Sequence, residues 1–276
     1  MSLRAQALQE FELPAAPQRI DELSAFAPGT DACKVYAPAG RFLLIQTAGA
    51  LALAFEATLF DLLAESRYPS PRPRRARGGS LIAMLDGRAA AACYSVPAGE
   101  ELAPAAASAP QLMEVGRLLA RLHHLGETHP ASVADCLDFR ALLSRMQPGK
   151  ERDRLEPIAT AGLPPLPSGA VHGGVRPTCA LFIGERCSAV LPSAMSCSAA
   201  LVLDLAETAA GWMVQAARPL AALRALASGY QAMRKLVQEE KEALPAALRF
   251  ASAREAARKC VMGRPEPMAA LDCVER

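Results

Sequence analysis

The chain has 276 residues and nearly balanced charge, with 30 basic and 28 acidic side chains and a net charge of +2. Hydrophobic residues make up 51% of it, enough to bury a good core as one bilobal unit or two small domains. The small net charge argues against a dedicated nucleic-acid binder. A charged, proline-containing amino terminus and the lack of any long apolar run argue against a signal peptide or membrane span, so we expect a cytoplasmic protein.

Cysteine spacing bears on metal binding and on the cellular compartment. The eight cysteines stand at positions 33, 93, 136, 179, 187, 197, 260 and 273, without a CxxC pair and without a histidine at ligand spacing. This pattern argues against zinc and favours buried thiols in a reducing compartment.

The first third of the chain predicts mostly strands. Residues 18–26 have helical spacing, and the turn at 28–31 breaks it. Strand-like runs follow at 33–36 and 41–47, then a helix over 48–66, then strands over 80–85 and 87–96. The helix is predicted to bury one apolar face, made of Leu51, Phe55, Leu59, Leu62 and Leu63.

Beyond Pro97 the pattern changes to helices. Residues 97–110, rich in Ala, Pro and Glu, resemble a linker, and 111–125 is the clearest helix. A weak helix is predicted over 138–146, with further helices over 198–217 and 219–237. Because strand and helix signals separate at Pro97, we expect two lobes, 1–96 and 97–276.

The stretch 170–205 is the most informative part of the chain. An apolar run at 180–183, a Gly184-Glu185 turn and a second run at 187–191 predict a hairpin. The His172-Gly173-Gly174 sequence before it requires tight backbone turning. Asp204, Leu205 and Ala206 follow it, in a predicted helix.

This stretch resembles the aminoglycoside-phosphotransferase-like kinases, most closely the bacterial homoserine kinases, which carry HGDxxxxNxxF, a hairpin, IDF and DLA. The matching residues are His172, Gly173, Pro177, Leu181, Phe182, Gly184, Asp204, Leu205 and Ala206. The segments Val-Gly at 115–116 and Leu-Leu-Ala-Arg-Leu-His at 118–123 fit the family's VGxxLAxLH motif. The resemblance spans about residues 20 to 260 and implies an α+β, protein-kinase-like bilobal fold, with a small mixed-sheet N-lobe and a mainly helical C-lobe.

The three polar positions that carry the family's chemistry are changed. The resemblance places the catalytic aspartate at Gly174, the metal-binding asparagine at Cys179 and the metal-binding aspartate at Pro192. Glycine and proline have no side-chain oxygen, and a thiol is a poor ligand for magnesium. His172 and Asp204 are the parts of the motif that persist, so no catalytic residue and no metal ligand is assigned.

The resemblance also implies a nucleotide site between the lobes. Gly29 and Thr30 lie where the family has a phosphate-covering turn, and Tyr94 and Val96 lie in its adenine-holding hinge. Glu56 stands near the place of a kinase glutamate that orients phosphate contacts, but a solvated helix charge explains it as well. His123 is interpreted as a packed structural histidine, because no acidic or cysteine partner lies one turn away.

Three functional classes follow from these residues. The favoured one is a pseudokinase, which keeps the fold and binds a nucleotide or another small molecule without phosphotransfer. The second is an active ATP- and magnesium-dependent kinase of homoserine or a related amino alcohol, with Ser193 or Glu207 recruited near the metal. The third is a structural interaction protein that admits no nucleotide. The segment 132–167 is shorter than in homoserine kinases, which casts doubt on homoserine as a ligand, and a protein partner stays unidentified.

Overall fold

A computed structural model of the chain describes residues 2–14, 16–23, 28–129, 133, 138–214, 216–264 and 266–275. Its strands are β1 (Arg19–Glu22), β2 (Thr30–Ala37), β3 (Gly40–Thr47), β4 (Arg72–Pro73), β5 (Ala83–Leu85), β6 (Ala89–Val96), β7 (Glu100–Glu101), β8 (Ser168–Val171), β9 (Ala180–Ile183), β10 (Arg186–Val190) and β11 (Cys197–Ala200). Its α-helices are α1 (Leu3–Glu10), α2 (Ala50–Glu65), α3 (Ala109–Gly126), α4 (Phe139–Ser144), α5 (Lys150–Ala161), α6 (Leu201–Met213), α7 (Pro219–Met233), α8 (Gln238–Val261) and α9 (Ala269–Glu275).

The amino-terminal part forms one sheet with strand order β1-β2-β3-β6-β4, and β5 pairs with the other half of β6. Every described pairing is antiparallel, so the expected mixed sheet is an antiparallel one. Short turns explain the β2–β3 and β5–β6 pairings, since parallel neighbours need a long crossover. Asp86 and Gly87, both at positive φ, form the β5–β6 turn.

The two faces of this sheet are covered by different helices. Alternation along β3 sends Phe42 and Leu44 to one face and Leu43 and Ile45 to the other. The first face packs on α1, whose first turn is capped by Ser2. The second face joins a large hydrophobic core that continues through α2 and α3 into the β9–β10 hairpin and α6.

Helices α3 and α7 make the closest helix contact of the carboxyl-terminal part. A Cβ at Gly116 would overlap the carbonyl of Leu226, and one at Gly229 would overlap that of Met113. The absence of side chains at these glycines lets the two backbones touch. Ser108 and Gln111 form a capping box that starts α3.

Several predicted elements are confirmed. The strand pair after residue 30, the helix after residue 48, the α3 helix and the 180–191 hairpin are all present. In α2, however, Leu51 is 80% exposed, so it does not belong to the buried face.

Other predictions were wrong. The helix over 18–26 is the edge strand β1 as far as Glu22, and residues 24–26 lie outside the described residues. The helix expected from 198 begins at Leu201, because residues 197–200 pair with β8 as β11. The helix expected over 219–237 ends at Met233, and the apolar spacing that predicts a face containing Leu220 and Met233 is not its buried side, because both are exposed. Its buried residues are Ala222, Ala225, Leu226, Gly229 and Tyr230. Helices α5 and α8 were not predicted.

The membrane prediction can be compared with the helices directly. Within the described ranges, no helix is long and apolar enough to cross a bilayer.

Candidate functional site

Asp204, in the first turn of α6, organises the loop that carries the His-Gly-Gly sequence. Its carboxylate accepts the backbone N–H of His172 at 2.8 Å and that of Gly174 at 2.6 Å. Its Oδ2 also lies 2.9 Å from Nε2 of His123. Burial alone would raise the pKa of Asp204, but these donors hold it below its ordinary value. The charged carboxylate therefore fixes the loop.

His123 is a buried structural histidine, as predicted, but it does have an acidic partner. Its other ring nitrogen lies 2.8 Å from the hydroxyl of Tyr230 on α7. Asp204 is 81 positions away in sequence, so the lack of an acidic residue one helical turn from His123 gave no sign of this partner. The chain Asp204–His123–Tyr230 thus ties α6, α3 and α7 together.

His172 is fully buried and bonds through Nε2 to the carbonyl of Leu191 at 2.7 Å. Burial lowers its pKa, so the ring is neutral at physiological pH. Its backbone N–H binds Asp204 and its ring binds the carbonyl of Leu191, so His172 positions the loop.

The three changed positions lie in this same interior. Gly174 has φ +90°, and a Cβ there would lie 3.0 Å from Cβ of Glu207. Cys179 is buried, and burial raises the pKa of its thiol, which keeps it protonated. Pro192 is buried directly before Ser193. None of the three side chains supplies an oxygen.

Glu56 on α2 is 1% exposed, so the interpretation as a solvated helix charge was wrong. Its Oε2 accepts the N–H of Ser193 at 3.1 Å and the hydroxyl of Ser196 at 2.9 Å. Burial raises its pKa to about 7 despite these bonds. Ser193 in turn donates its hydroxyl to the carbonyl of His172 at 2.5 Å. Glu56 thereby fastens α2 to the segment that follows Pro192.

A cluster of buried charges lies on the other side of the loop. Arg254 pairs with Glu207, and Glu255 contacts Arg176 at 3.4 Å and Arg258 at 2.7 Å. Arg176 also donates to the carbonyl of Gly173 at 3.0 Å. The space left between these side chains is about 10 Å³, close to the least that holds one water molecule.

The residues present do not fit a hard divalent cation. Magnesium prefers carboxylate, carbonyl and water oxygens in octahedral geometry, and the positions that the resemblance assigns to the metal ligands carry a protonated thiol and a proline. The nearby carboxylates of Glu56, Asp204 and Glu207 are each bound to N–H, hydroxyl or guanidinium groups. Within the described part of the chain, no group of three or more acidic, histidine or cysteine side chains could hold a metal ion.

The structure places the four predicted nucleotide contacts in different surroundings. Gly29 and Thr30 end the β1–β2 connection, of which residues 24–27 lie outside the described part. Thr30 is in register with the Ala90 end of β6, six residues and about 20 Å from Val96. Tyr94 is fully buried against Phe60 and faces the core. These residues do not form one cluster.

A cavity of about 160 Å³ remains beside Val96, between the sheet and the hairpin strand β9. Lys34 of β2 closes one side of it through a 2.5 Å ion pair with Glu101, and Arg41 of β3 donates to the carbonyl of Pro97 at 2.5 Å. Leu181 forms its floor. Of the four predicted contacts, only Val96 lines this cavity.

Sequence reasoning missed the Arg176–Glu255–Arg258 part of the cluster. The spacing of Glu255 and Arg258, three residues apart on a helix, is a visible signal for an ion pair. Nothing in the sequence indicates that Arg176, 79 positions earlier, joins them.

Comparison with known sequences finds homoserine kinases. The chain is 30% identical over 218 residues to the homoserine kinase of Rhodopseudomonas palustris, covering 72% of this chain and 66% of the relative. It is 31% identical over 219 residues to that of Granulibacter bethesdensis, covering 71% and 67%. The match therefore spans about two thirds of each relative. No protein-family model matches the chain.

Solved structures agree on the fold. An amicoumacin kinase aligns with a TM-score of 0.71 at 11% identity, covering 88% of this chain and 80% of that one. A microcompartment-associated aminopropanol kinase aligns at 0.66 and 16% identity, covering 99% and 94%. A spectinomycin phosphotransferase aligns at 0.60 and 12% identity, covering 94% and 88%. The chain belongs to the homoserine kinase family and has the protein-kinase-like α+β fold of the aminoglycoside phosphotransferases.

Proposed function

We propose that this protein is a pseudokinase of the homoserine kinase family, with a binding or regulatory role in place of phosphotransfer. One observation carries the proposal: the positions that the resemblance assigns to the family's oxygen-bearing residues are occupied by Gly174, Cys179 and Pro192, and the carboxylates of Asp204 and Glu207 beside them are bound to N–H and guanidinium groups. A general base alone contributes about 10²–10⁴ in rate, and the metal ligands are changed as well.

The two groups that could have replaced the lost ones are engaged elsewhere. Ser193 donates its hydroxyl to the carbonyl of His172 and accepts the N–H of Met195. Glu207 is buried and paired with Arg254. Moving either towards a metal ion would break a buried hydrogen bond or a buried ion pair, which costs about 1–3 kcal/mol or more. These contacts support the pseudokinase over an active kinase with relocated groups.

Nucleotide binding is expected to be weak and independent of magnesium. Without oxygen ligands at 179 and 192, a cation bridging the β- and γ-phosphates has no protein anchor. The contacts that remain are those of the linker after Val96 and the floor at Leu181. A protein that binds no nucleotide at all would instead have a purely structural role.

The test is to incubate the protein with ATP, magnesium and a panel of amino alcohols that includes homoserine, following ADP and phosphorylated product. We expect no turnover, whereas a homoserine kinase in the same assay should convert homoserine. Turnover near the usual enzyme range of about 1–10³ s⁻¹ would overturn the proposal. ATP titrations with and without magnesium complete the test, since magnesium-enhanced binding would show that other ligands hold the metal.

The triple variant Gly174→Asp, Cys179→Asn, Pro192→Asp provides the companion experiment. Groups that act as one unit are not additive, so each single reversion should be as inactive as the unmodified protein. The short 132–167 segment also differs from homoserine kinases, and the resemblance places Arg254, Glu255 and Ala256 where that family has an aromatic helix motif, so we expect the triple variant to stay inactive on homoserine.

A further inference from the structure

The cavity beside Val96 is too small for a nucleoside in the shape that the structure shows. One wall is formed by β9 and the short strand β7, and the opposite wall is the sheet of the amino-terminal part. Its volume is about 160 Å³, whereas small-molecule sites occupy about 300–1,000 Å³. The two walls must therefore move apart before a nucleoside can enter.

The wall that contains β7 is fixed to the hairpin. Strand β7 pairs with β9 and places Glu101 opposite Leu181. The hydroxyl of Ser188 donates to the carbonyl of Ala98 at 2.7 Å, and a Cβ at Gly99 would overlap that same hydroxyl oxygen. Because this segment packs so closely on the hairpin, opening the cavity requires the sheet to move.

The sheet and α2 are held to the carboxyl-terminal part by hydrogen bonds whose residues do not line this cavity. The bond from Ser193 to Glu56 is one of them. The hydroxyl of Tyr68 donates to the carbonyl of Leu118 at 3.1 Å, and the N–H of Val190 donates to a carbonyl in the segment after α2 at 2.8 Å. These contacts form a fixed side, about which the sheet can turn when the cavity opens.

On the cavity side, an ion pair joins the two walls. Lys34 of β2 lies 2.5 Å from Glu101 of β7, and the two side chains are 20% and 35% exposed. Arg41 also bonds to the carbonyl of Pro97, but Pro97 directly follows strand β6, which pairs with β3, so this bond moves with the sheet. The Lys34–Glu101 pair, named here the closing ion pair, therefore links the movable wall to the fixed one.

We propose that the closing ion pair keeps nucleosides and nucleotides out of this cavity, and that breaking it admits them. The inference rests on the proposed function for the class of ligand. Because a closed majority state lowers the apparent affinity in proportion to the open fraction, weakening the closed state raises the affinity. The strength of a partly exposed ion pair corresponds to a change of about two- to fivefold in the open fraction.

The experiment is isothermal titration of the full chain with adenosine, without magnesium. Adenosine is neutral, so its affinity reports opening and not attraction to a freed lysine. We expect Glu101→Gln and Lys34→Gln each to bind adenosine about two- to fivefold more tightly than the unmodified protein, and the double variant to gain no more than either. Glu100→Gln is the matched control, because Glu100 lines the same cavity, is exposed, and makes no salt bridge within the described part of the chain.

Salt and ATP provide two further measurements. Higher ionic strength should tighten adenosine binding to the unmodified protein by screening the closing ion pair, and it should leave Glu101→Gln unchanged. ATP should gain more affinity from Glu101→Gln than from Lys34→Gln, since the first substitution leaves a free ammonium group for the phosphates.

Amide hydrogen exchange tests the closing ion pair without any ligand. Exchange in residues 97–102 should be faster in Glu101→Gln than in Glu100→Gln, because opening exposes the amides that the sheet covers. Equal exchange or equal adenosine affinity in these two variants would overturn the inference, and so would adenosine that binds to none of the proteins. None of these results would change the turnover expected of a pseudokinase. Turnover of an amino alcohol would overturn the proposed function and leave the exchange result standing.

Discussion

Asp204 and Glu56 are carboxylates that the fold buries equally, each at 1% exposure, yet their pKa values move in opposite directions. Asp204 uses both oxygens, receiving the N–H groups of His172 and Gly174 and lying against His123. Glu56 receives its bonds on Oε2, and its Oε1 has no hydrogen-bond partner within the described structure. The difference follows from the partners of the two carboxylates: a histidine partner and donors on both oxygens lower the pKa of Asp204, whereas burial outweighs the hydrogen bonds that Glu56 receives.

The two carboxylates also differ in what they support. Asp204 belongs to the motif that resembles the kinase family, and it fixes the loop on which the family's catalytic residue stands. Glu56 fastens α2 to the segment after Pro192, where the family has a metal ligand. The scaffold has thus kept its charged anchor, while the segment that the resemblance assigns to the metal is bound to α2 through Glu56.

The largest expected effect comes from removing the well-paired carboxylate. Asp204→Ala leaves His123 and the N–H groups of His172 and Gly174 unpaired in the interior, which should cost about 3–5 kcal/mol of unfolding free energy. Urea denaturation at neutral pH measures it, with Asp31→Asn, at an exposed position of β2, as control. Because the folded pKa of Asp204 lies below its ordinary value of 3.8, the deficit should shrink as the pH falls through and below that value. A loss under 1 kcal/mol would contradict the anchoring role.

Removing the poorly paired carboxylate, that of Glu56, should instead raise the free energy of unfolding at neutral and higher pH. The folded pKa of Glu56, about 7, lies above its ordinary value of 4.5, so the folded state holds an extra proton between these values. Stability of the unmodified protein therefore falls as pH rises from about 4.5 to 7 and then stays level, with a total effect of ~3 kcal/mol.

Glu56→Gln keeps an acceptor for Ser193 and Ser196 but cannot ionise. We expect it to raise the thermal midpoint at pH 8 and to change it little at pH 5. Glu65→Gln, exposed at the end of the same helix, should show neither effect. Equal destabilisation at both pH values would mean that Glu56 is charged and well paired.

The smallest effect on stability is expected from a substitution at Gly174, in the loop that Asp204 holds. Gly174→Asp places a side chain at φ +90° and against Glu207, so it should destabilise the protein by about 1–3 kcal/mol. Gly184→Asp is the control, because Gly184 has φ +60° but open space around it. If the two substitutions cost the same in chemical denaturation, contact with Glu207 contributes nothing. If Gly174→Asp is neutral, the loop accommodates the family's aspartate without strain.

Much of the fold could be predicted from local pattern. Helix α3 is predicted by its apolar stripe and the β9–β10 hairpin by its Gly184 turn, because both signals lie within a few residues. The Ser108 cap became evident only in the structure. Helix α8 escaped prediction because its buried side is built mainly of alanine and includes Arg254 and Arg258, which do not form an apolar stripe. Strand β1 was mistaken for a helix because only its pairing with β2 makes it a strand.

The sequence by itself determined the family and the matching motif, and it predicts changed residues at 174, 179 and 192, since these depend only on residue type and order. The tertiary structure decided which charges meet. Glu56 and Ser196 are 140 positions apart, Arg176 and Glu255 are 79 apart, and Asp204 and His123 are 81 apart. Whether a carboxylate is a solvated surface charge or an interior anchor depends on such distant partners and on burial, and neither is encoded in the neighbouring residues.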